Sequence, residues 1–163
     1  DFEKLRAHRA KLFACAYDIN ERHVKYFELK KLSDEEMTDA VLASAAIPHV
    51  YDPVEIEGHK FADGGINDPS YGVKNSDVTP LSPLQDEGYD AIIVIHLREQ
   101  ETLDIDHIGP TRLIHIYPSK PLEQIKGSGT MNFTRSAIRE RFAMGYADMY
   151  IALGKLLMSI IKE

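Results

Sequence analysis

Sulfur chemistry has almost nothing to work with in this sequence. Cys15 is the only cysteine among 163 residues, so an internal disulfide and a thiolate metal cluster are both excluded. Such usage suits a reducing compartment, and a cytoplasmic location is expected. No apolar run approaches the roughly 20 residues that a membrane-spanning helix needs, and no stretch reads as a secretory leader. A basic excess is missing as well: the formal charge is -7, which argues against a protein that grips nucleic acid through a general basic surface. The phosphate-cradling patterns Gly-x-x-x-x-Gly-Lys-[Ser/Thr] and Gly-x-Gly-x-x-Gly do not occur. Neither does the Gly-x-Ser-x-Gly elbow of a hydrolase nucleophile, nor a glycine-rich stretch suited to an oxyanion hole.

What is present fits a folded domain. With 44% hydrophobic and 28% charged residues, the sequence has an ordinary core, and residues 1–163 read as one domain. Charge is unevenly spread: residues 1–111 hold 11 Lys and Arg against 22 Asp and Glu, while residues 112–163 hold 8 against 4. That basic tail is either a solvated helix face or a surface for an acidic neighbour. The first residue is Asp1 and the first methionine Met37, so the chain is expected to be a fragment.

Along the chain, residues 1–10 read as a short helix or a frayed lead-in. Leu12 to Tyr17 is a compact apolar run of strand length, and its near-continuous apolarity predicts burial on both faces. Asn20-Glu21-Arg22 turns it into a second strand over His23–Leu29. Ser33 followed by Glu36 is a capping box that opens a helix, with Met37, Ala40, Val41, Ser44 and Ala45 on its packed face and its end forced before Pro48. Ser44 reads as structural. A hairpin follows over Tyr51–Ala62 with Glu57-Gly58 as its turn, then a loop-rich region to Gly88 with room for short helices around Ser70–Asn75 and Pro83–Glu87. Ala91–Leu97 is the clearest strand, apolar enough to be central in a parallel sheet, and Thr111–Tyr117 is another, stopped by Pro118. A long helix closes the chain from about Thr134. Ile138, Phe142, Met149, Leu153, Leu156, Leu157 and Ile160 recur at three or four residues, predicting a stripe that faces the core, with a partner surface as the alternative.

Asp63 is the candidate for chemistry. It follows a strand on a turn where Gly64 and Gly65 are free to take positive φ, so a short carboxylate can project toward a reacting group; the same tripeptide also makes ordinary turns. Gly127-Ser128-Gly129 has the wrong spacing for a nucleophile elbow and reads as a flexible loop. Asp104, Asp106 and His107 cluster, and His96 and His115 sit at strands, but no His-x-x-x-His pair supports a site. Structural histidines are expected there, with no metal and no cofactor.

Several features together resemble the patatin-like phospholipase family: Ala43-Ser44-Ala45-Ala46-Ile47-Pro48, Pro53-Val54, Gly58, Phe61-Ala62-Asp63-Gly64-Gly65, Asn67, Pro69, and Gly88-Tyr89-Asp90-Ala91-Ile92-Ile93-Val94-Ile95. Ala14 to Ile19 also looks like that family's strand ending in an aspartate, here Asp18. The resemblance spans about residues 12–97. It implies a partial α/β three-layer sandwich with a largely parallel central sheet and a long C-terminal helix. It also implies an acyl hydrolase with a Ser-Asp dyad and no catalytic histidine, Asp63 being the dyad aspartate. The serine elbow and oxyanion loop of the family lie upstream of the matched region. The chain is therefore expected to be the C-terminal portion of such an enzyme, inactive alone, partnered by the missing N-terminal part of its own domain and by a lipid or acyl-ester substrate, with peripheral membrane contact left open. A non-catalytic lipid-binding or interaction module of the same fold is the alternative.

Overall fold

A computed structural model describes residues 1–75, 77–97, 107–122 and 132–161. The chain divides into two compact units, Asp1–Gln85 and Asp86–Glu163.

In the first unit a short helix α1 (Phe2–Ala7) leads into strands β1 (Phe13–Asp18) and β2 (His23–Glu28). Helix α2 (Asp34–Ser44) and strands β3 (Val54–Ile56) and β4 (His59–Asp63) follow. The sheet order is β2-β1-β4-β3, and every pairing in it is antiparallel. A largely parallel sheet is therefore not what this unit builds. The reason lies in the connections: β1–β2 and β3–β4 are joined by tight turns, and a parallel crossover needs a dozen or more residues. At the β3–β4 turn Glu57 and Gly58 both take positive φ, 52° and 80°, the geometry whose twist matches the flanking strands.

β1 lies inside the sheet, between β2 and β4, which explains its apolar run: Ala14, Ala16 and Tyr17 are all buried. On one face α2 packs through Met37, Ala40 and Ala43. Val41 and Ala45, placed on that face by sequence spacing, are exposed instead. Small residues at 40 and 43 let the helix lie close to the sheet, where Phe27 and Phe61 meet edge to face at 5.4 Å. Full burial of a side chain such as Phe61 stabilises by about 1.5–3 kcal/mol. The capping box forms as its spacing predicts, with Ser33 Oγ accepting from the Glu36 N–H at 3.2 Å and Glu36 Oε2 accepting from the Ser33 N–H at 2.8 Å. The loop-rich stretch carries two short 3-10 turns, Pro69–Tyr71 and Ser82–Leu84.

In the second unit, β5 (Ala91–Ile95) pairs in parallel with β7 (Thr111–Ile116), and β6 (His107–Ile108) pairs antiparallel with β7. This β5–β7 ladder is the one parallel pairing among the described residues. β5, predicted to be central, stands at the end of the order β5-β7-β6. Its Ile92 and Val94 are buried, whereas Ile93 and Ile95 are exposed.

Helix α3 (Arg135–Ile160) begins after the N-cap Thr134, whose hydroxyl accepts from the Ala137 N–H. It packs on β7. Its inward face carries Met144, Asp148, Ala152 and Leu156. Phe142, Leu153 and Leu157 of the predicted core stripe are exposed. Asp148 shows why spacing misled: it sits mid-helix on the inward face, buried, with Oδ2 accepting from the Ser119 N–H at 3.0 Å, so the seam includes a polar group that an apolar stripe would never select.

Candidate active site around Asp63

β4 delivers Asp63 at its last position, paired with Ala16 of β1. The Asp63 N–H donates to Ala46 O at 3.0 Å, tying the strand end to the stretch that follows α2. Ala43 and Ala46 are buried there, so the small residues before Pro48 are what let the two segments close together. Asp63 Oδ1 accepts from the Gly65 N–H at 2.7 Å. This side-chain-to-backbone turn fixes the carboxylate orientation, and Oδ2 accepts no hydrogen bond among the described residues.

The two glycines serve a purpose other than the one their sequence suggests. Neither takes positive φ. At Gly64 a Cβ would lie 2.5 Å from Cys15 Sγ and closer still to the Cys15 carbonyl oxygen, so glycine is required by a close backbone approach. At Gly65 a Cβ would sit 3.2 Å from Asp63 Oδ1, crowding the carboxylate that folds back over that amide.

Around this turn the structure gathers residues that sequence reasoning passed over. Buried Asn75 donates through Nδ2 to Gly64 O at 2.6 Å, while its Oδ1 accepts from the Asp77 N–H at 2.8 Å. Cys15 faces Tyr26 across the β1–β2 ladder. The Tyr26 hydroxyl and the Ser82 hydroxyl both donate to Asp77 Oδ2. The strand register, readable once the hairpin is placed, pairs Cys15 with Tyr26; nothing in the sequence signals Asn75 or Asp77, which arrive from a loop.

Burial pushes the Asp63 carboxyl above its ordinary range, and the Gly65 N–H only partly opposes this. Burial likewise pushes the Cys15 thiol up to about 11, helped by the negative charges of Asp77 and Asp63 and opposed by the hydrogen bond to Tyr26. Tyr26 is raised too, by burial and by its bond to Asp77. Cys15 is therefore a neutral thiol at neutral pH and no nucleophile. Asp63 is the group that can take up a proton.

Asp18 is placed elsewhere in the sheet, at the other end of β1's pairing with β4, opposite Phe61. It is buried, and its Oδ1 accepts from the Asn20 and Glu21 N–H groups at 2.9 Å each, while Oδ2 lies 2.7 Å from His59 Nδ1. Burial alone would raise its pKa, but the Glu21 amide, the His59 ring and the Asn20 amide together hold it below the usual carboxylate range. Three donors make it a structural cap for the β1–β2 turn.

His96 and His115 come together, Nε2 to Nδ1 at 2.9 Å, with Tyr117 stacked on His96 at 4.2 Å. Burial and then His115 lower the His96 pKa. Asp104, Asp106 and Gly127-Ser128-Gly129 lie outside the described residues. Among the described residues no three His, Cys, Asp or Glu side chains converge on one point.

Residues 1–70 match the family model described as Patatin-like phospholipase. The patatin-like segment thus includes β1 with Asp18, the Ala43–Pro48 stretch, Asp63-Gly64-Gly65, Asn67 and Pro69, and over these residues the resemblance seen in the sequence holds. β5 and α3 fall outside the match. A comparison with curated proteins returned no match. No described helix is long and apolar enough to cross a membrane.

Proposed function

We propose that this chain is the C-terminal portion of a patatin-like lipid acyl hydrolase and that Asp63 is the carboxylate of its Ser-Asp dyad. The observation that carries this reading is the state of Asp63 itself: a half-buried carboxylate within the patatin-like segment, oriented through Oδ1, with Oδ2 accepting no hydrogen bond among the described residues and its pKa raised by burial. The nucleophilic serine and the oxyanion donors come from a part of the protein outside this chain. The serine oxygen attacks the acyl carbonyl of the lipid ester while its proton passes to Asp63. The tetrahedral intermediate collapses, the C–O ester bond breaks, and the leaving alkoxide takes that proton from Asp63. Water then attacks the acyl-enzyme with Asp63 as base, releasing the fatty acid and restoring the serine.

A carboxylate is a weak base toward a hydroxyl, so a pKa raised toward the working pH narrows the mismatch, and fixed geometry supplies the rest. In the complete protein, Asp63→Asn is expected to lower kcat for a nitrophenyl ester by about a hundredfold or more while KM stays within a few-fold. An unchanged rate removes Asp63 from the chemistry. The 163-residue chain alone is expected not to react with a serine-directed fluorophosphonate, and stoichiometric labelling of it would refute the assignment.

A further inference from the structure

A single peptide unit stands between Asp63 and a side chain that the dyad chemistry leaves unused. Residues 63–66 form a turn in which the Ile66 N–H donates to Asp63 O at 3.4 Å, so Gly64 and Gly65 are its central residues. The peptide that links them is planar, and its C=O and N–H point in opposite directions. Its N–H, that of Gly65, donates to Asp63 Oδ1 at 2.7 Å, and its C=O, that of Gly64, accepts from Asn75 Nδ2 at 2.6 Å. Four-residue turns have forms that differ by rotation of this central peptide, and one of them needs positive φ at the second central residue. Gly65 does not take positive φ, so that form is not the one present. A glycine would nevertheless adopt it without Cβ strain, so sterics alone do not hold the peptide as it stands. Its hydrogen bonds do.

We propose that Asn75 is the positioning residue of Asp63, holding the Gly64–Gly65 peptide in the orientation that aims its N–H at Oδ1. The inference rests on the assignment of Asp63 for its effect on turnover, and on the geometry of the turn for everything else. Asn75 suits the task because its own orientation is set independently. It is 5% exposed, its N–H donates to Asn67 Oδ1 at 3.3 Å, and its Oδ1 accepts from the Asp77 N–H at 2.8 Å, which leaves Nδ2 as the end that meets Gly64 O. An amide turned the other way would set oxygen against oxygen at Gly64 and N–H against N–H at Asp77. A donor on the C=O of a peptide also strengthens the N–H at its other end, so the bond from Asn75 reinforces the one to Oδ1. The titratable groups around Asp63 are Cys15 on β1, whose thiol the Asp63 charge helps to push up, and Asp77 in the loop, with Tyr26 of β2 bonded to it. Gly65 donates to the ionised carboxylate and so favours it, whereas burial disfavours it. Losing Asn75 can therefore act in two directions that differ in sign: release of the peptide moves the Asp63 titration to higher pH, whereas loosening that merely admits water moves it down toward the ordinary range.

The test begins with the whole 163-residue chain, read by NMR without turnover. In the unaltered chain the Asn75 side-chain amide resonances are expected to shift with the Asp63 midpoint, and that shift is expected to vanish in Asp63→Asn. Resonances that follow only the Asp77 midpoint overturn the proposal, and this measurement needs no variant at residue 75. Asn75→Ala is expected to speed hydrogen exchange at the Gly65 N–H about tenfold, the worth of one hydrogen bond, and to move the Asp63 titration to higher pH. Asn75→Asp, which keeps the size of the side chain and the acceptor for the Asp77 N–H but loses the donor to Gly64 O, is expected to speed Gly65 exchange as well. Unchanged exchange in both variants, or an Asp63 midpoint that falls in Asn75→Ala, overturns the proposal. In the complete protein Asn75→Ala is expected to lower kcat for a nitrophenyl ester about ten- to a hundredfold with KM within a few-fold, and to move the acid limb of kcat/KM to higher pH. Full kcat in Asn75→Ala beside a slow Asp63→Asn overturns the role of Asn75 and leaves the dyad standing. Full rate in Asp63→Asn removes the dyad instead, and Gly65 exchange with the Asp63 titration then decides whether Asn75 holds the turn.

Discussion

Replacing Gly64 with alanine asks the sharpest question of the Asp63 turn, because one methyl group separates two accounts of why glycine stands there. If glycine served backbone freedom, the substitution would cost little, since Gly64 does not take positive φ. If it serves close approach, the new Cβ meets Cys15 Sγ and its carbonyl carbon at 2.5 Å, against an ordinary contact of 3.4–4 Å, so β1 and the β4 end must part by about 1 Å. Overpacking of this kind costs about 1–3 kcal/mol, and loosening the Ala16–Asp63 pairing adds about 1 kcal/mol per hydrogen bond weakened. Together they amount to about 3 kcal/mol, which in a unit of this size lowers Tm by about 12–24 °C. Urea and thermal unfolding followed by circular dichroism measure it. Gly58→Ala is the control, because Gly58 has φ 80° but open space around it, and only left-handed strain of about 1–2 kcal/mol applies. Adding Cys15→Ala should restore only part of the Gly64→Ala loss, since the thiol goes but the backbone of residue 15 stays. The reasoning fails if Gly64→Ala costs no more than Gly58→Ala, or if removing the thiol restores full stability.

Other outcomes follow from the electrostatics. Burial raises the Asp63 pKa, so its ionised form is the less favoured one in the folded state: the contribution is complete below the ordinary carboxylate range and is lost as pH rises through the raised value. Asp63→Asn should therefore stabilise the chain at pH 7 and have little effect at pH 3, as urea midpoints at the two pH values would show. Asp18 behaves oppositely: its lowered pKa gives stability that is present above the ordinary carboxylate range and lost as pH falls through the folded value. Asp18→Ala, which strips acceptors from the Asn20 and Glu21 amides and from His59, should cost about 2–4 kcal/mol at pH 7 in the same assay. With its thiol pushed up to about 11, Cys15 should react with a disulfide reagent at pH 7 at least about a hundredfold more slowly when folded than in urea, and equal rates would remove the close packing of that side chain. Ser33→Ala should lose about 1 kcal/mol by removing the acceptor for the Glu36 N–H.

Local chemistry carried much of the fold into the sequence. Ser33 and Glu36 announce the start of α2, Glu57-Gly58 announces the β3–β4 turn, and the apolar run of β1 announces an inner strand. These signals are short-range, and nothing distant competes with them. Strand direction was harder to read, because apolarity reports how much of a strand is covered and says nothing of which way its neighbour runs: β1 is antiparallel to both partners although its composition matches a parallel strand. On α3 the apolar residues spread around most of the helix, so periodicity alone could not choose which face meets β7.

By itself the sequence determined that Asp63 ends a strand on a glycine turn, and the spacing of Ala43 to Gly65 determined the likeness that the family match places in residues 1–70. Only the tertiary structure decided what the turn is for. The β1–β4 pairing carries Gly64 against the Cys15 backbone, Asn75 folds back from the loop that follows the turn to hold Gly64 O, and burial raises the Asp63 carboxyl. The approach of Gly64 to Cys15 joins segments far apart in the chain, and desolvation and close approach exist only once those segments meet.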